Sequence, residues 1–235
     1  MNTRAEALEK QGIHVISSDE KTGIQALERA APSLPCSPGH IEKQEFNYIR
    51  HGVLVLIANL HIATGKLISP TISETRTEAD FLAHIKQTVA TDAQGGWIFI
   101  VDHLNTHQSA SLVEWVAEVL NDTQDLGKKG KEGILKSMPS RKAYLSDPAH
   151  RIRFVYTPKH CSWLNLVECW FSALGKRVLH RGHFTSKENL KEKIEAYIEY
   201  YNRKLAKMFN WTISKKEDVE KLIKRVKRMV LKFAP

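Results

Sequence analysis

Residues 97–101, Trp-Ile-Phe-Ile-Val, form an unbroken apolar run that begins after Gly95-Gly96 and ends at Asp102. A strand with one wet face alternates polar and apolar side chains, so a run without alternation has to be covered on both faces. This predicts a central strand between two layers of helices, with a carboxylate emerging at its end. The rest of the chain supplies matching elements. A charged, helix-like lead over residues 4–11 precedes Ile13-His14-Val15-Ile16, a strand that stops at Ser17-Ser18-Asp19-Glu20. Residues 22–52 carry Pro32, Pro35, Pro38 and Gly39 and read as a long excursion from the core. Residues 53–63 and 66–73, parted by Thr64-Gly65, read as a hairpin, and residues 151–156 as a last strand.

Helices fill the intervals. Thr77-Glu78-Ala79-Asp80 resembles a capping box, followed by Phe81, Leu82, Ile85 and Val89 at helical spacing. Leu112, Val113, Val116, Val119 and Leu120 form the inner stripe of a second helix. Further helices are expected from about Leu164 to Leu179, from a Thr185-Ser186-Lys187-Glu188 cap through Leu205, and from Ser214-Lys215-Lys216-Glu217 to the end, the last with a basic face. Residues 125–149 interrupt the alternation as an exposed basic insertion. The order β-β-β-α-β-α-β-α gives an α/β fold: a mixed five-stranded sheet flanked by helices, with extra C-terminal helices.

Charge is distributed unevenly. Of 235 residues, 35 are basic and 26 acidic; residues 1–126 hold 9 basic and 16 acidic side chains, net −7, and residues 127–235 hold 26 and 10, net +16. The basic half suits a polyanion such as DNA. No apolar run approaches the roughly 18 residues that span a membrane, and three cysteines at irregular spacing argue against a disulfide framework, so a cytoplasmic protein is expected.

Most of the 26 acids are solvated surface, but three stand out by position. Asp19 and Asp102 end predicted strands. Glu168 lies early in the helix after the last strand, about 120° from the centre of its apolar stripe (Val167, Trp170, Phe171, Leu174, Val178) and on the side of Asn165, Ser172 and Gly175. Strand ends meet in one cleft, and clustered carboxylates repel each other unless a cation neutralises them. An all-oxygen donor set selects Mg²⁺ or Mn²⁺ over zinc, and a pair of such ions performs in-line phosphoryl transfer. Asp19 has an acidic neighbour, Glu20, which points to the opposite strand face, so one of the two faces the cleft.

Three blocks then resemble a known family: Ile16-Ser17-Ser18-Asp19-Glu20-Lys21-Thr22-Gly23-Ile24-Gln25, Ile100-Val101-Asp102-His103-Leu104-Asn105-Thr106-His107, and residues 156–168, ending in Ser162-Trp163-Leu164-Asn165-Leu166-Val167-Glu168. They are similar to the catalytic domain of bacterial insertion-sequence transposases of the mariner-like DDE superfamily, the insertion sequence 630 group. The resemblance implies an RNase H-like fold over residues 13–212 and a two-metal site of Asp19, Asp102 and Glu168, supported by Asn105, His107 and Asn165. It implies double-stranded DNA, both transposon ends and target, as partner, a homodimer as a candidate assembly, and nucleoid association in a bacterium. Where many relatives have Asn after the second Asp, this chain has His103. Relatives carry helix-turn-helix modules ahead of the first catalytic strand; here residues 1–12 are expected to be a linker remnant, and residues 213–235 a basic amphipathic helix.

DNA contacts are expected from Lys128, Lys129 and Lys131 in the insertion and from Lys159, Lys176, Arg177 and Arg181 near the third acid. Gly127-Lys128-Lys129-Gly130-Lys131-Glu132 lacks the spacing and the final Ser or Thr of a phosphate loop, so no nucleotide cofactor is expected. His160, Cys161 and Cys169 lack a second ligand pair at zinc-finger spacing. The leading expectation is a metal-dependent DNA strand-transferase. Its alternatives are a catalytically idle DNA-binding fragment that inhibits a full-length transposase, and an RNase H-like nuclease acting on RNA–DNA hybrids.

Overall fold

The computed structural model describes residues 2–43, 45–158, 164–180 and 182–208. Five strands, β1 (Ile13–Arg29), β2 (Tyr48–His61), β3 (Leu67–Ser73), β4 (Gly96–Val101) and β5 (Ile152–Tyr156), form one sheet in the order β3-β2-β1-β4-β5. β2 runs antiparallel to β1 and β3, while β4 runs parallel to β1 and β5. The helices are α1 (Asn2–Glu9), α2 (Glu78–Val89), α3 (Ala110–Leu120), α4 (Met138–Leu145), α5 (Val167–Leu174), continued by a π-helical turn Gly175–Leu179, and α6 (Lys187–Tyr200).

The unalternating run does lie between two cores. Trp97, Phe99 and Val101 pack with Phe81 and Ile85 of α2, Leu112 and Val116 of α3 and Leu145 of α4. Ile98, on the other face, joins Val167, Trp170 and Leu174 of α5 and Leu190 and Ile194 of α6. Trp97 stacks on Phe99 at 5.9 Å and Phe99 on Phe154 at 5.3 Å, each pair adding about 0.5–1.5 kcal/mol beyond its buried area. The α2 start is as the sequence indicates: Thr77 caps Asp80 N–H and Asp80 returns the bond, a device contributing about 1 kcal/mol.

Four expectations are corrected. The first strand does not stop at residue 16; β1 continues to Arg29 paired with β2, so residues 22–29 and 48–52 belong to a long two-stranded arm. Between Lys21↔Leu56 and Ile24↔Leu54, β1 spends three steps against two on β2, a bulge at Gly23 (φ +68°) that flips side-chain parity. This is why even-numbered Ile24 and Ala26 share a core with odd-numbered Val15, and why no simple alternation marks the strand. Second, residues 134–145 are not an exposed insertion. Leu135 and Leu145 are buried, and Arg141 is buried while donating Nε to Gln108 O (2.7 Å) and Nη1 to Leu135 O (3.3 Å). Third, α6 is capped by Ser186, whose hydroxyl accepts from Asn189 N–H, one residue later than expected. Fourth, the helix expected from Leu164 begins as α5 at Val167. The expected helix over 213–235 lies outside the described residues.

At the β2–β3 turn, Gly65 has φ +69° and a Cβ there would collide with the Lys207 carbonyl, so this position needs glycine on two counts. Among the described residues, no helix is long and apolar enough to cross a membrane.

Candidate active site

Parity assembles the acids. Ser17 pairs with Ile100 across β1 and β4, and continuing that parallel register by two residues brings Asp19 beside Asp102. On the core side, odd positions of this part of β1 and even positions of β4 face α5, so both aspartates face the helix that carries Glu168. Asp19 is therefore inside a strand rather than at its end, although it lies just past the last β1–β4 pair. Glu20 points to the opposite face, as strand geometry requires.

The first turn of α5 is fastened to β1. Its N-cap position, Leu166, supplies no side-chain cap; instead Ser17 Oγ accepts Val167 N–H at 2.9 Å. Ser17 Oγ also donates to Asn165 Oδ1. The Asn165 amide donates to Ser18 O at 2.9 Å and to Asp19 Oδ2 at 3.0 Å. Asn165 is thus fully buried rather than on the rim beside Glu168. It ties the helix that carries one acid to the strand that carries another. Glu168 itself is exposed, in the first turn of α5, where the helix dipole favours negative charge.

Asp102 is held differently. Its Oδ1 accepts Leu104 N–H at 2.8 Å and lies 2.8 Å from His107 Nδ1. The other ring nitrogen, Nε2, lies 3.1 Å from Glu20 Oε1. His107 side chain is 0% exposed and Glu20 side chain 2%, with the Phe81 ring 4.3 Å from the imidazole. Tyr156 on β5 donates to His107 O at 2.8 Å. A carboxylate–imidazole–carboxylate chain therefore runs through the sheet from Glu20 to Asp102.

The electrostatics follow from this arrangement. Burial, together with the charges of Asp102, Glu20 and Glu168 and against the Glu20 N–H, pushes the Asp19 carboxyl up to about 7. Burial works against the charged form of His107, yet the hydrogen bonds and charges of Asp102 and Glu20 overrule it and push the imidazole up to about 9. Burial also opposes ionisation of Asp102, but the His107 contact and the Leu104 N–H hold its carboxyl below the ordinary value. At neutral pH the cluster has one carboxylate locked in the charged state and one poised to lose its proton.

The donor set suits a divalent cation. Three carboxylates from three elements influence one another strongly enough to help displace Asp19 from its ordinary value, and all are hard oxygen donors. Asn105 is exposed on the short turn Asn105–Gln108. Lys128, Lys129 and Lys131 sit on a tight turn closed by Lys128 N–H to Glu132 O and Glu132 N–H to Lys128 O, with Lys129 Nζ 3.8 Å from Glu78. Lys176 and Arg177 are exposed in the π-helical turn after α5. Lys159 and Arg181 lie outside the described residues. Glu20 is the functional residue that sequence reasoning weighed only as a rival to Asp19; its acidic side chain inside a strand next to a buried face was the signal that it needed a partner.

Residues 14–191 match the family described as DDE superfamily endonuclease. No curated protein matches the chain. Among solved structures, the Mos1 mariner paired end complex with Mn aligns at TM-score 0.54 and 15% identity, covering 98% of this chain and 58% of that chain. The Mos1 strand transfer complex aligns at TM-score 0.50 and 16% identity, covering 86% and 56%. The chain thus spans little more than half the length of these relatives. At such identities the likeness concerns the fold, which is RNase H-like.

Proposed function

The chain belongs to the DDE superfamily of endonucleases, and from that membership we propose that residues 13–212 form the catalytic domain of a transposase that cuts and joins phosphodiester bonds at transposon ends. The observation that carries this reading is the meeting of Asp19, Asp102 and Glu168, brought from β1, the end of β4 and the start of α5, closely enough that mutual repulsion helps to raise Asp19 to about 7. These three side chains would hold two Mg²⁺ or Mn²⁺ ions, which when bound activate a water or 3′ hydroxyl and stabilise the leaving oxygen.

The chain's own residues prepare that site. Asp19 would hold a cation as the carboxylate, its proton passing to solvent, and the Asn165 amide orients its Oδ2. His107, gripped by Glu20, keeps Asp102 ionised and oriented. Lys128, Lys129, Lys131, Lys176 and Arg177 would meet the DNA backbone, with Asn105 beside the site. On this reading the chain is of the bacterial insertion sequence 630 group and would act on DNA at the nucleoid as a dimer. The dimer reading is supported by the β1–β2 arm, whose loop exposes Leu34, Ile41 and Phe46, large apolar side chains that a second copy would cover.

The direct test is Asp102→Asn. Mn²⁺-dependent nicking of a transposon-end duplex is expected to fall by at least about 10³-fold with the fold retained by circular dichroism; intact nicking would exclude the assignment.

A further inference from the structure

A second cluster of ligating side chains stands near the start of β1, away from the acids. His14 on β1 and His61 at the end of β2 both turn a ring nitrogen toward one carboxylate oxygen of Glu9, the last residue of α1: His14 Nδ1 to Glu9 Oε2 is 3.1 Å and His61 Nε2 to the same oxygen is 2.8 Å. All three atoms lie within 4.8 Å of one another. Five steps along an extended strand separate His14 from Asp19, about 17 Å.

We propose that Glu9, His14 and His61 form a Zn²⁺ site that fastens α1 to the sheet. With Zn–N and Zn–O bonds of about 2.0–2.1 Å, ligand atoms on a tetrahedron stand about 3.3 Å apart, close to the two separations present here. Two imidazoles and one carboxylate are borderline donors that favour zinc over the hard cations suited to the acid cluster. Three protein ligands leave a fourth position for water.

The outer nitrogens carry an independent indication. A histidine that ligates a metal through one nitrogen is ordinarily held through the other by a carboxylate, carbonyl or hydroxyl. His14 Nε2 lies 2.9 Å from Asp92 Oδ2, and His61 Nδ1 lies 2.8 Å from Thr64 Oγ1. Gly95 makes room for the first of these contacts, since a Cβ there would collide with the Asp92 carboxylate. The His14 ring also rests against Trp97 at 4.5 Å, which fixes its plane. Among the described residues, Glu9 is the side chain through which α1 makes polar contact with the sheet, so an ion at this point controls how firmly that helix docks.

The test uses the full chain carrying Asp102→Asn, so that the acid cluster is weakened as a competing site, stripped with chelator and titrated with Zn²⁺ and, in parallel, with Co²⁺. Expected are one tightly bound Zn²⁺ per chain, the visible absorption of four-coordinate Co²⁺, and a melting temperature raised by roughly 5–10 °C at a hundredfold excess over Kd. The double variant Glu9→Gln/His14→Gln should lose the bound ion and the temperature rise while remaining folded; buried His61 is left untouched. Asp92→Asn, which leaves all three ligand atoms in place and changes the partner of the outer nitrogen of His14, should weaken Zn²⁺ binding about 10–100-fold. No bound Zn²⁺, or an equal temperature rise in the double variant, would overturn the proposal and leave Glu9 as an ion-pair staple.

Discussion

Asp19 shows how much a single carboxyl is displaced by its surroundings. Its ordinary value is 3.8, and in the folded, metal-free chain it is raised to about 7, chiefly by burial. Folding therefore takes up a proton between these values. The contribution to stability is complete below pH ~4, and it is lost as pH rises through about 7. A metal-free wild-type chain should melt at progressively lower temperature as pH is raised from about 5 to about 8. Asp19→Asn, which keeps one acceptor oxygen for the two donors, Asn165 and the Glu20 N–H, and has no charge to gain, should melt several degrees above wild type at the upper pH and close to it at the lower. Calorimetry in chelator reads both; a pH-independent difference between the two proteins would show that Asp19 is not raised. The His107 contribution is complete below about 6.5 and is lost as pH rises through about 9; it overlaps the upper part of that window but is common to both proteins.

At the scale of elements, the site depends on two ties between pieces distant in sequence. Asn165 and Ser17 seat the start of α5 on β1, and Glu20 and His107 link β1 to the turn that follows β4. The second tie makes Glu20 a positioning residue. Glu20→Gln should weaken Mn²⁺ binding at the acid cluster by about 10–100-fold with circular dichroism unchanged, and nicking should fall in step at limiting metal. Unaltered Mn²⁺ affinity would remove the tie from the account. These elements were unequally legible in the sequence. The 97–101 run announced a doubly covered strand because five apolar residues admit no wet face, and Thr77 with Asp80 announced the start of α2 because a capping box is local. The continuation of β1 was hidden, since its bulge breaks alternation and its last residues, Leu27 to Arg29, are only half-buried. The α4 segment was hidden because a basic residue ordinarily signals solvent, whereas Arg141 is buried on backbone carbonyls. Asp19, Asp102 and Glu168 were singled out by position and Asn165 by resemblance, but the bonds that Asn165 and Glu20 make depend on packing across about 150 and 90 residues of chain, roughly the separations of those bonds.

For the whole molecule, the split into an acidic and a basic half now has a physical layout. The acidic half contributes Asp19, Asp102 and the Glu20 that stabilises the charge on His107. The basic half contributes Glu168 and exposed cations on two turns, around Lys128 and Lys176. Replacing Lys128, Lys129 and Lys131 with Gln should weaken binding to any duplex and flatten the dependence of log K on log salt by about one unit for each phosphate left without its lysine. An unchanged slope would place the DNA elsewhere. The central claim is that three acids from separate elements act as one metal site. Crystals grown with Mn²⁺ and measured for anomalous scattering test it most directly. The account predicts manganese with Asp19, Asp102 and Glu168 all among its ligands; manganese that engages these residues singly, or not at all, would contradict it.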